Sequence, residues 1–463
     1  MQKIEHDTIA AISTPPGEGG IGIVRVSGKD AIAIARKVFR PARGASPSFS
    51  ESHRVHYGRV FSPATEEVAD EVLLTVMISP RTYTKEDMVE ISCHGGAMPL
   101  SRVLDICLAE GARLAEPGEF TKRAFLNGRL DLTQAEAVLD IIRSKTDTAR
   151  RVALRQLEGD FSGEVTSLRE AFLETLAQIE LTIDFSQEDV DFPSGGEISG
   201  RVERIRDKLK SLIGTSEKGM ILREGASVVI CGKPNVGKSS LMNALLRHER
   251  VIVTSVAGTT RDVIEEAVDI SGIKVRISDT AGIIETQDRV EIEGIKRSRE
   301  KLEESDVVLF VMDASRPLSE KDIGIYQTIK HKRHVPVLNK CDLPLAVKSA
   351  EVEGVCAGQK PVEVSALKKE GLEKLEKRLE EKLFKGDAQI PEGVLVTNAR
   401  HRNALKEALK SVERSLGLLA DTFNAELLAS DLNEALSQLG RITGETVPGD
   451  ILDRIFSQFC IGK

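Results

Sequence analysis

Paired cysteines, a long apolar run and an excess of positive charge are all missing from this 463-residue sequence. Its six cysteines include no Cys-x-x-Cys pair, which argues against a disulfide framework and is typical of reduced thiols. No apolar run approaches the ~20 residues of a membrane helix, and the first residues lack the charged-then-apolar pattern of a signal peptide. We therefore expect a cytoplasmic chain with no membrane partner.

The formal net charge of the chain is −8. Affinity for nucleic acid comes from clusters of Lys and Arg, so this charge argues against a protein that binds RNA through bulk positive charge. Any contact with RNA is expected to be local or shared with a partner.

A glycine-rich stretch at residues 232–240 (Gly-Lys-Pro-Asn-Val-Gly-Lys-Ser-Ser) stands between an apolar run and an amphipathic segment. Strand, glycine-rich loop and helix in this order predict a phosphate-binding P-loop. Gly232 and Gly237 allow successive backbone N–H groups to face a β-phosphate. Lys238 then reaches the β and γ oxygens, and the hydroxyl of Ser239 can ligate Mg²⁺.

Two motifs further along the chain predict recognition of guanine. Asn-Lys-Cys-Asp at residues 339–342 follows a predicted strand, and its Asp342 can accept both N1–H and N2–H₂ of guanine, which adenine cannot satisfy. Ser-Ala-Leu at residues 365–367 looks like the loop that lies behind guanine O6. Together they indicate a site for GTP.

Two other motifs predict contacts with Mg²⁺ and the γ-phosphate. Asp-Thr-Ala-Gly at residues 279–282 suits a water-mediated Mg²⁺ contact and an N–H donated by Gly282. Ala-Gly-Thr-Thr-Arg-Asp at residues 257–262 offers the hydroxyl of Thr260 as a further Mg²⁺ ligand. The predicted GTP-binding residues are Asn235, Val236, Gly237, Lys238, Ser239, Ser240, Thr254, Ser255, Val256, Ala257, Gly258, Thr259, Thr260, Asp279, Thr280, Ala281, Gly282, Asn339, Lys340, Asp342, Ser365, Ala366 and Leu367.

The order of patterns along the chain predicts a multidomain protein of α/β and all-α parts, in line with the roughly three domains expected at this length. Residues 1–119 alternate short β-like runs with helices, as in an α/β domain. Residues 120–218 and 384–463 have helical spacing, and the GTPase segment 219–383 lies between them. We therefore expect a Ras-like P-loop G domain inserted into a discontinuous helical domain.

Three local features have two interpretations each. The glycine-rich stretches at residues 15–20 and 93–96 are either tight turns or binding loops at strand ends. The acidic residues 184–191 favour a solvated connecting loop over a metal site, because no His or Cys lies near. Cys460 is either a buried small apolar residue or a thiol beside a cofactor.

Ile283 occupies the position at which Ras-like proteins have the Gln that orients the attacking water. An alkane side chain cannot position water, so either hydrolysis is poor or another residue serves. The acidic candidates that follow are Glu285, Asp288, Glu291 and Glu293, although a solvated acidic helix face would give the same pattern.

No arginine finger is evident in the GTPase segment, and such a finger is worth roughly 10³–10⁵ in rate. The side-chain oxygen of Asn235 could instead help to hold a monovalent cation near the phosphates. Further oxygens for that cation could come from Thr254, Val256 and Thr259.

All these motifs together closely resemble the MnmE (TrmE) family of bacterial tRNA-modification GTPases. The GTPase motifs are shared with several ribosome-assembly GTPases and are weakly specific. The specific part of the resemblance is carried by Pro-Pro-Gly-Glu-Gly-Gly at 15–20, His-Gly-Gly at 94–96, the stretch from Pro to Gly at 117–128, and Cys-Ile-Gly-Lys at 460–463.

The resemblance implies a homodimer formed through N-terminal domains that bind a 5-formyltetrahydrofolate-type cofactor. By match of motif, Arg25, Glu90, Arg129 and Lys463 fall on the folate-contacting positions, with Cys460 near the pterin. Arg129 stands where some relatives have Lys, which keeps the charge and changes the contact geometry.

The resemblance also implies K⁺-stimulated GTP hydrolysis by G domains that meet across the dimer, with Glu291 orienting water. K⁺ would be held by Asn235, Thr254, Val256 and Thr259, and Mg²⁺ by Ser239 and Thr260. With a FAD-dependent subunit of the MnmG (GidA) type, in a heterotetramer or larger complex, such proteins install a carboxymethylaminomethyl-type group at C5 of wobble uridine 34 in certain tRNAs. The alternatives are a ribosome-assembly switch without modification chemistry and a stand-alone folate-dependent methyltransferase regulated by GTP.

Overall fold

The computed structural model describes most of the chain, and the chain divides into two compact units. The described ranges are 7–44, 49–184, 195–248, 251–252, 267–279, 300–384, 393–421 and 424–463. The first unit comprises Met1–Leu139, Leu157–Val165 and Ser437–Lys463. The second comprises Asp140–Gln156 and Thr166–Leu436. The boundaries of the four segments expected from the sequence stay a prediction.

The first unit contains a largely antiparallel sheet covered by helices. Neighbouring strands are antiparallel except for β1 and β7, and the order across the sheet is β3-β4-β5-β6-β2-β1-β7. The strands are β1 (Ile9–Ile12), β2 (Gly22–Ser27), β3 (Phe39–Pro41), β4 (Arg54–Phe61), β5 (Val68–Met77), β6 (Met88–Cys93) and β7 (Arg113–Leu114). Helices α1 (Ala31–Val38) and α2 (Ala97–Ala109) join one core with this sheet, which confirms the predicted α/β fold.

Alternation along β2 decides which side chains face that core. Val24 and Val26 are buried with α1 and α2, so Arg25 between them points to the opposite face of the sheet. Ile9, Ala11 and Phe120 form a smaller core cluster without any residue of α1 or α2. Arg25 therefore lies on the same face of the sheet as this apolar cluster, with its guanidinium carbon 5.6 Å from the centre of the Phe120 ring.

Strand β4 has no clear signal in the sequence. Its apolar residues, at positions 55, 57, 60 and 61, do not keep a spacing of two. Val55 and Tyr57 are exposed, whereas Val60 and Phe61 are buried. Gly58 lies inside the strand, and a Cβ at Gly58 would lie 2.2 Å from the carbonyl oxygen of Arg40. Glycine in a strand usually argues against the strand, but here it allows close backbone approach.

Helices occupy both sides of the GTPase segment in the sequence. The helical spacing expected for residues 120–218 is confirmed at Leu168, Phe172, Leu176 and Ile179, which lie on one helix and are all buried. The described helices that precede the first strand of the GTPase segment are α3 (Glu119–Leu126), α4 (Leu132–Arg143), α5 (Asp147–Glu158), α6 (Asp160–Asp184), α7 (Gly195–Gly214) and α8 (Ser216–Glu224). Most of the acidic stretch 184–191 lies outside the described residues.

The second unit contains a mostly parallel sheet in the order β14-β13-β12-β8-β11-β10-β9. Strand β10 is antiparallel to its neighbours β9 and β11, and the remaining pairs are parallel. The strands are β8 (Ala226–Cys231), β9 (Val251–Ile252), β10 (Ala267–Ile270), β11 (Ile273–Asp279), β12 (Val307–Asp313), β13 (His334–Asn339) and β14 (Val362–Glu363). This strand order, with one antiparallel strand beside a parallel set, is that of Ras-like G domains.

Strands buried on both faces explain the continuous apolar runs in this sheet, since every residue of β12 and β13 is buried. The remaining helices of the described ranges are α9 (Lys238–His248), α10 (Glu320–Ile329), α11 (Ser349–Val355), α12 (Leu372–Leu383), α13 (Ala399–Asp421), α14 (Ala425–Thr443) and α15 (Gly449–Phe456). No helix within the described ranges has the length and apolar character needed to cross a membrane.

Candidate functional site

The loop between β8 and α9 packs tightly against neighbouring strand ends. Gly232 has φ +151°, and a Cβ there would lie 2.2 Å from the carbonyl oxygen of Val311. Gly237 has φ +95°, and a Cβ there would lie 2.3 Å from Nδ2 of Asn339. Both positions therefore require glycine. The loop ends at the N-terminus of α9, where backbone N–H groups and the helix dipole favour a phosphate.

Two side chains of α9 lie where the P-loop chemistry needs them. Lys238 Nζ donates to the carbonyl oxygens of Gly232 at 3.0 Å and Lys233 at 2.9 Å, so its ammonium group lies over the loop. Ser239 Oγ donates to Oδ2 of Asp279 at 2.8 Å. The other oxygen of Asp279 is buried without a hydrogen-bond partner among the described residues. A hydroxyl beside an incompletely bonded carboxylate fits Mg²⁺, which prefers oxygen ligands.

Asn339 joins the phosphate loop to the loop predicted to hold the base. Its Nδ2 donates to the carbonyl oxygen of Val236 at 2.9 Å, and its Oδ1 accepts from the backbone N–H of Ala366 at 3.1 Å. The residue is 1% exposed. Its amide therefore fixes the distance between the two loops.

Asp342 is oriented by Ser365, whose Oγ donates to Oδ1 of Asp342 at 2.6 Å. This hydrogen bond is the main cause that lowers the pKa of Asp342, so the carboxylate is ionised at neutral pH. An ionised carboxylate accepts only, which suits the two N–H groups on the edge of guanine. Leu367 follows in the same loop and is 84% exposed.

Lys340 of the base-binding motif contacts the phosphate loop through its side chain. It has a left-handed backbone with φ 65°, and its Nζ donates to the carbonyl oxygen of Asn235 and to Oδ2 of Asp313, both at 2.7 Å. Desolvation disfavours the charge on Asp313, but hydrogen bonds from Lys340 and Ser315 outweigh it and lower the pKa of Asp313. Asp313, at the end of β12, was missed by the sequence analysis.

A second ion pair anchors the other end of the same loop. Lys233 Nζ lies 2.6 Å from Oδ2 of Asp322 and donates to Ser319 Oγ at 3.0 Å. Ser319 and Asp322 also form the capping box of α10. The Ser-x-x-Asp spacing would have predicted the cap, but no sequence signal links it to Lys233.

The other predicted residues of this site lie outside the described residues, and their roles stay predictions. They are Thr254, Ser255, Val256, Ala257, Gly258, Thr259, Thr260, Thr280, Ala281, Gly282 and Glu291, together with Ile283, Glu285, Asp288 and Glu293. Among the predicted K⁺ ligands the structure therefore describes only Asn235.

A second polar site lies on the sheet of the first unit. Arg25 on β2 and Glu90 on β6 are opposite each other in the strand register, and Arg25 Nε lies 2.9 Å from Oε1 of Glu90. The Nη1 atom of Arg25 also donates to the carbonyl oxygen of Gly462 at 3.0 Å. Burial lowers the pKa of the adjacent Lys463, with a further contribution from Arg25, while Glu90 acts in the opposite direction.

Tyr83 connects this ion pair to Arg129. The guanidinium carbon of Arg129 lies 4.7 Å from the centre of the Tyr83 ring, and that of Arg25 lies 5.9 Å from it. The hydroxyl of Tyr83 is 2.9 Å from Oγ1 of Thr121, and burial raises the pKa of Tyr83. The four residues implied by the family resemblance thus lie in one cluster, and Tyr83 is a member that no sequence signal suggested.

The donor set of this cluster fits a folate in its chemistry. A carboxylate on Glu90 can accept the paired N–H groups of a pterin, and the three cations suit the carboxylates of a glutamate moiety. The last residues of the chain are held against β1, because a Cβ at Gly462, which has φ +92°, would lie 2.4 Å from the carbonyl oxygen of Ile12. Cys460 is exposed, so the interpretation as a buried apolar residue is wrong.

The two glycine-rich turns of the first unit contact each other. A Cβ at Gly95 would lie 2.1 Å from the carbonyl oxygen of Gly19, so the backbones of the two turns are in direct contact. His94 beside them lies 2.7 Å from Oδ1 of Asp70 through Nδ1, which raises the pKa of His94. The close contact explains Gly95 as packing, and a binding role of the two turns stays a prediction.

The strand order, the glycine-dependent P-loop and the oriented Asp342 define the second unit as one that contains a Ras-like P-loop G domain. The chain matches the model of the MnmE helical domain over residues 132–460 and the model of the GTP-binding protein TrmE N-terminus over residues 8–129. The helical match therefore encloses the G domain, as expected from the sequence.

Curated relatives match the chain over nearly its whole length. A protein of Thermoanaerobacter sp. (strain X514) named tRNA modification GTPase MnmE is 48% identical over 457 residues, covering 99% of both chains. Proteins of the same name from Lysinibacillus sphaericus and Ligilactobacillus salivarius are 46% and 45% identical, covering 99% and 100% of this chain and 100% and 99% of their own. The chain belongs to the MnmE family.

Among solved structures, Era of Aquifex aeolicus bound to GDP and aluminium fluoride is 32% identical, covering 40% of this chain and 66% of its own, with a TM-score of 0.29. At that TM-score the comparison adds nothing to the fold, which rests on the strand order.

Proposed function

We propose that this protein hydrolyses GTP and that the hydrolysis serves the modification of tRNA. The observation that carries this proposal is an oriented, ionised Asp342 beside a P-loop, in a chain that matches proteins named tRNA modification GTPases along its full length. Asp342 selects guanine, Lys238 binds the phosphates, and Ser239 with Asp279 holds Mg²⁺.

Hydrolysis in this proposal depends on K⁺ and on two G domains meeting in a homodimer. Asn235 is suited to a role near the phosphates, because its left-handed backbone, with φ 64°, lies in the loop and its carbonyl oxygen is held by Lys340. When bound, a monovalent cation would supply the positive charge that an arginine finger supplies elsewhere. Thr254, Val256 and Thr259 would complete its ligands, Thr260 would assist Mg²⁺, and Glu291 would orient the attacking water.

The dependence on K⁺ is tested by steady-state GTP hydrolysis in matched concentrations of KCl and NaCl. Wild-type protein should be faster in KCl, and Asn235→Ala should lose that advantage while it still binds GDP. Equal rates in both salts, or an unchanged preference in Asn235→Ala, would rule out the cation role.

The cluster of Arg25, Glu90, Arg129 and Lys463 is proposed to bind a 5-formyltetrahydrofolate-type cofactor in an N-terminal domain that also forms the dimer. Glu90 would hold the pterin edge and the cations the carboxylates, with Cys460 exposed nearby. A bound folate would supply a one-carbon unit.

Together with a FAD-dependent subunit of the MnmG (GidA) type, in a heterotetramer or larger complex, the protein is proposed to install a carboxymethylaminomethyl-type group at C5 of wobble uridine 34 in certain tRNAs. The net charge of −8 supports a partner that shares the binding of tRNA.

The proposed function is tested by mass-spectrometric nucleoside analysis of tRNA from cells that lack this gene, with and without a plasmid copy. C5-modified wobble uridines should vanish in the deletion strain and return with the plasmid. Their persistence in the deletion strain would instead leave a GTPase switch without modification chemistry.

A further inference from the structure

A cavity of about 400 Å³ lies next to the candidate folate cluster in the first unit. Four of its lining residues carry basic side chains, namely His53, Arg81, Lys85 and Arg129, and none of its eight lining residues is acidic. A concave site of this size with cations converging on it is suited to an anionic ligand.

Two cations of the cavity, Lys85 and Arg129, are held by neutral groups. Lys85 Nζ donates to the carbonyl oxygen of Gly128 at 2.8 Å, and Arg129 Nη1 donates to the carbonyl oxygen of Tyr83 at 3.3 Å. These contacts fix the positions of the side chains without neutralising them. Across the described ranges, none of Arg81, Lys85 and Arg129 takes part in an ion pair.

The carboxylates nearest in sequence to Lys85 bind other groups. Glu86 accepts from Ser27 Oγ at 2.8 Å and forms an ion pair with Arg123 at 3.2 Å. Asp87 accepts from the backbone N–H of Ser79 at 2.9 Å. The positive charge of the cavity is therefore available to a ligand.

Tyr83 and Arg129 belong both to this cavity and to the cluster that contains Arg25 and Glu90. A ligand bound at Glu90 would therefore lie next to the basic cavity, because the Tyr83 ring and Arg129 belong to both sites.

We propose that the basic cavity binds a chain of carboxylates, the γ-linked glutamate tail of a folate whose pterin lies at Glu90. This inference rests on the proposed folate site and adds a preference for folates that carry several glutamates. Each added glutamate brings one further carboxylate, which an unpaired Arg or Lys can contact. Because Tyr83 and Arg129 are shared with the cluster at Glu90, the cavity suits a tail attached to a pterin bound there better than an RNA backbone that binds independently of it.

The test is isothermal titration calorimetry on the full-length protein with 5-formyltetrahydrofolate bearing one or three glutamates. Wild-type protein should bind the triglutamate about 3- to 10-fold more tightly, because each added carboxylate gains only a partly exposed charge pair. The double variant Arg81→Gln/Lys85→Gln should lose that preference and keep its affinity for the monoglutamate. The matched control Lys29→Gln removes an exposed cation elsewhere in the unit and should behave as wild type. Higher salt should reduce the preference.

Retained affinity for the monoglutamate shows that the double variant is folded. Equal affinity of wild-type protein for both ligands, or a preference that persists in the double variant, overturns the tail site while the folate proposal stands. If neither ligand binds wild-type protein, the folate proposal itself fails and the tail site falls with it. A double variant that loses affinity for tRNA and keeps the triglutamate preference would assign the cavity to RNA phosphates instead.

Discussion

The nucleotide site of the G domain and the cluster around Arg25 are assembled from the chain in different ways. The nucleotide site uses short runs of consecutive residues at the carboxyl ends of β8, β11 and β13, whereas the cluster takes single residues from β2, β6, two loops and the last residue of the chain. A run of consecutive residues carries its own local geometry. A cluster of single residues acquires its geometry only when the sheet and the terminal segment pack together.

The two sites also differ in how their charges are held. In the G domain, Lys233 and Lys340 form ion pairs with Asp322 and Asp313, and these pairs lock the phosphate loop before any ligand binds. In the N-terminal cluster Arg25 is paired with Glu90, while Arg129 contacts only an aromatic ring and a carbonyl oxygen among the described residues. We therefore expect the two sites to respond independently to substitution.

The largest effect is expected from Asp342→Asn. Loss of two hydrogen bonds to a charged acceptor should weaken GDP binding about 100-fold or more, since each is worth roughly 1.5–3 kcal/mol. The new amide can donate to the O2 atom of xanthine, so binding of XDP should strengthen. Calorimetric titration with both nucleotides measures the exchange. An unchanged preference for GDP would show that Asp342 does not read the base.

Glu90→Gln should show the reverse pattern. Folate binding should fall about 10- to 100-fold, because the neutral amide no longer accepts as a charged group and Arg25 loses its ionic partner. Affinity for GDP should stay unchanged. The control Glu67→Gln breaks an exposed pair with Arg102 and should affect neither ligand. Parallel loss of both ligands in Glu90→Gln would mean that the two sites are not independent.

Asp322→Asn tests the anchoring of the phosphate loop. Asp322 is 2% exposed, so removal of its charge leaves Lys233 without a buried partner and should cost about 1–3 kcal/mol. GDP affinity should fall about 3- to 10-fold, and the thermal transition should shift downward. Lys210→Gln, which breaks an exposed pair with Glu413, is the control and should stay within about 0.5 kcal/mol of wild type. A wild-type affinity in Asp322→Asn would show that this ion pair does not anchor the phosphate loop.

The smallest effect is expected from Ser365→Ala, and it depends on pH. The pKa of Asp342 is lowered mainly by Ser365, so guanine recognition is present above that pKa and is lost as pH falls through it. Without the hydroxyl the pKa should rise, and the acid loss of GDP binding should move to higher pH. Ser349→Ala removes a similar bond to Glu363 outside the base loop and serves as control. GDP titrations between about pH 4 and 7 measure the shift. A profile that coincides with wild type would contradict the proposed role of Ser365.

The fold of the G domain and the positions of its P-loop and of the Asn-Lys-Cys-Asp motif could be predicted from the sequence, because phosphate and guanine chemistry demands particular residues at particular strand ends. The motifs could not predict the two ion pairs that support the phosphate loop. Asp313 and Asp322 lie far in sequence from Lys340 and Lys233, and they meet these lysines only in the folded domain.

The N-terminal cluster could be predicted only by resemblance, and then only in part. Arg25, Glu90, Arg129 and Lys463 came from matching motifs, whereas Tyr83 sits in a loop with no pattern that distinguishes it. Strand β4 lacks a clear signal for a related reason. Its apolar residues Val55, Tyr57, Val60 and Phe61 do not keep the spacing of two residues that marks a half-buried strand.

In the proposed function, two independent sites on one chain serve one reaction. This proposal is tested most directly by nucleoside mass spectrometry of tRNA from cells that lack the gene and carry wild-type, Asp342→Asn or Glu90→Gln plasmids. We expect that wild type restores the C5-modified wobble uridines and that each variant fails, although each loses a different ligand. Full restoration by Glu90→Gln would contradict it, because the N-terminal cluster would then be dispensable for the modification.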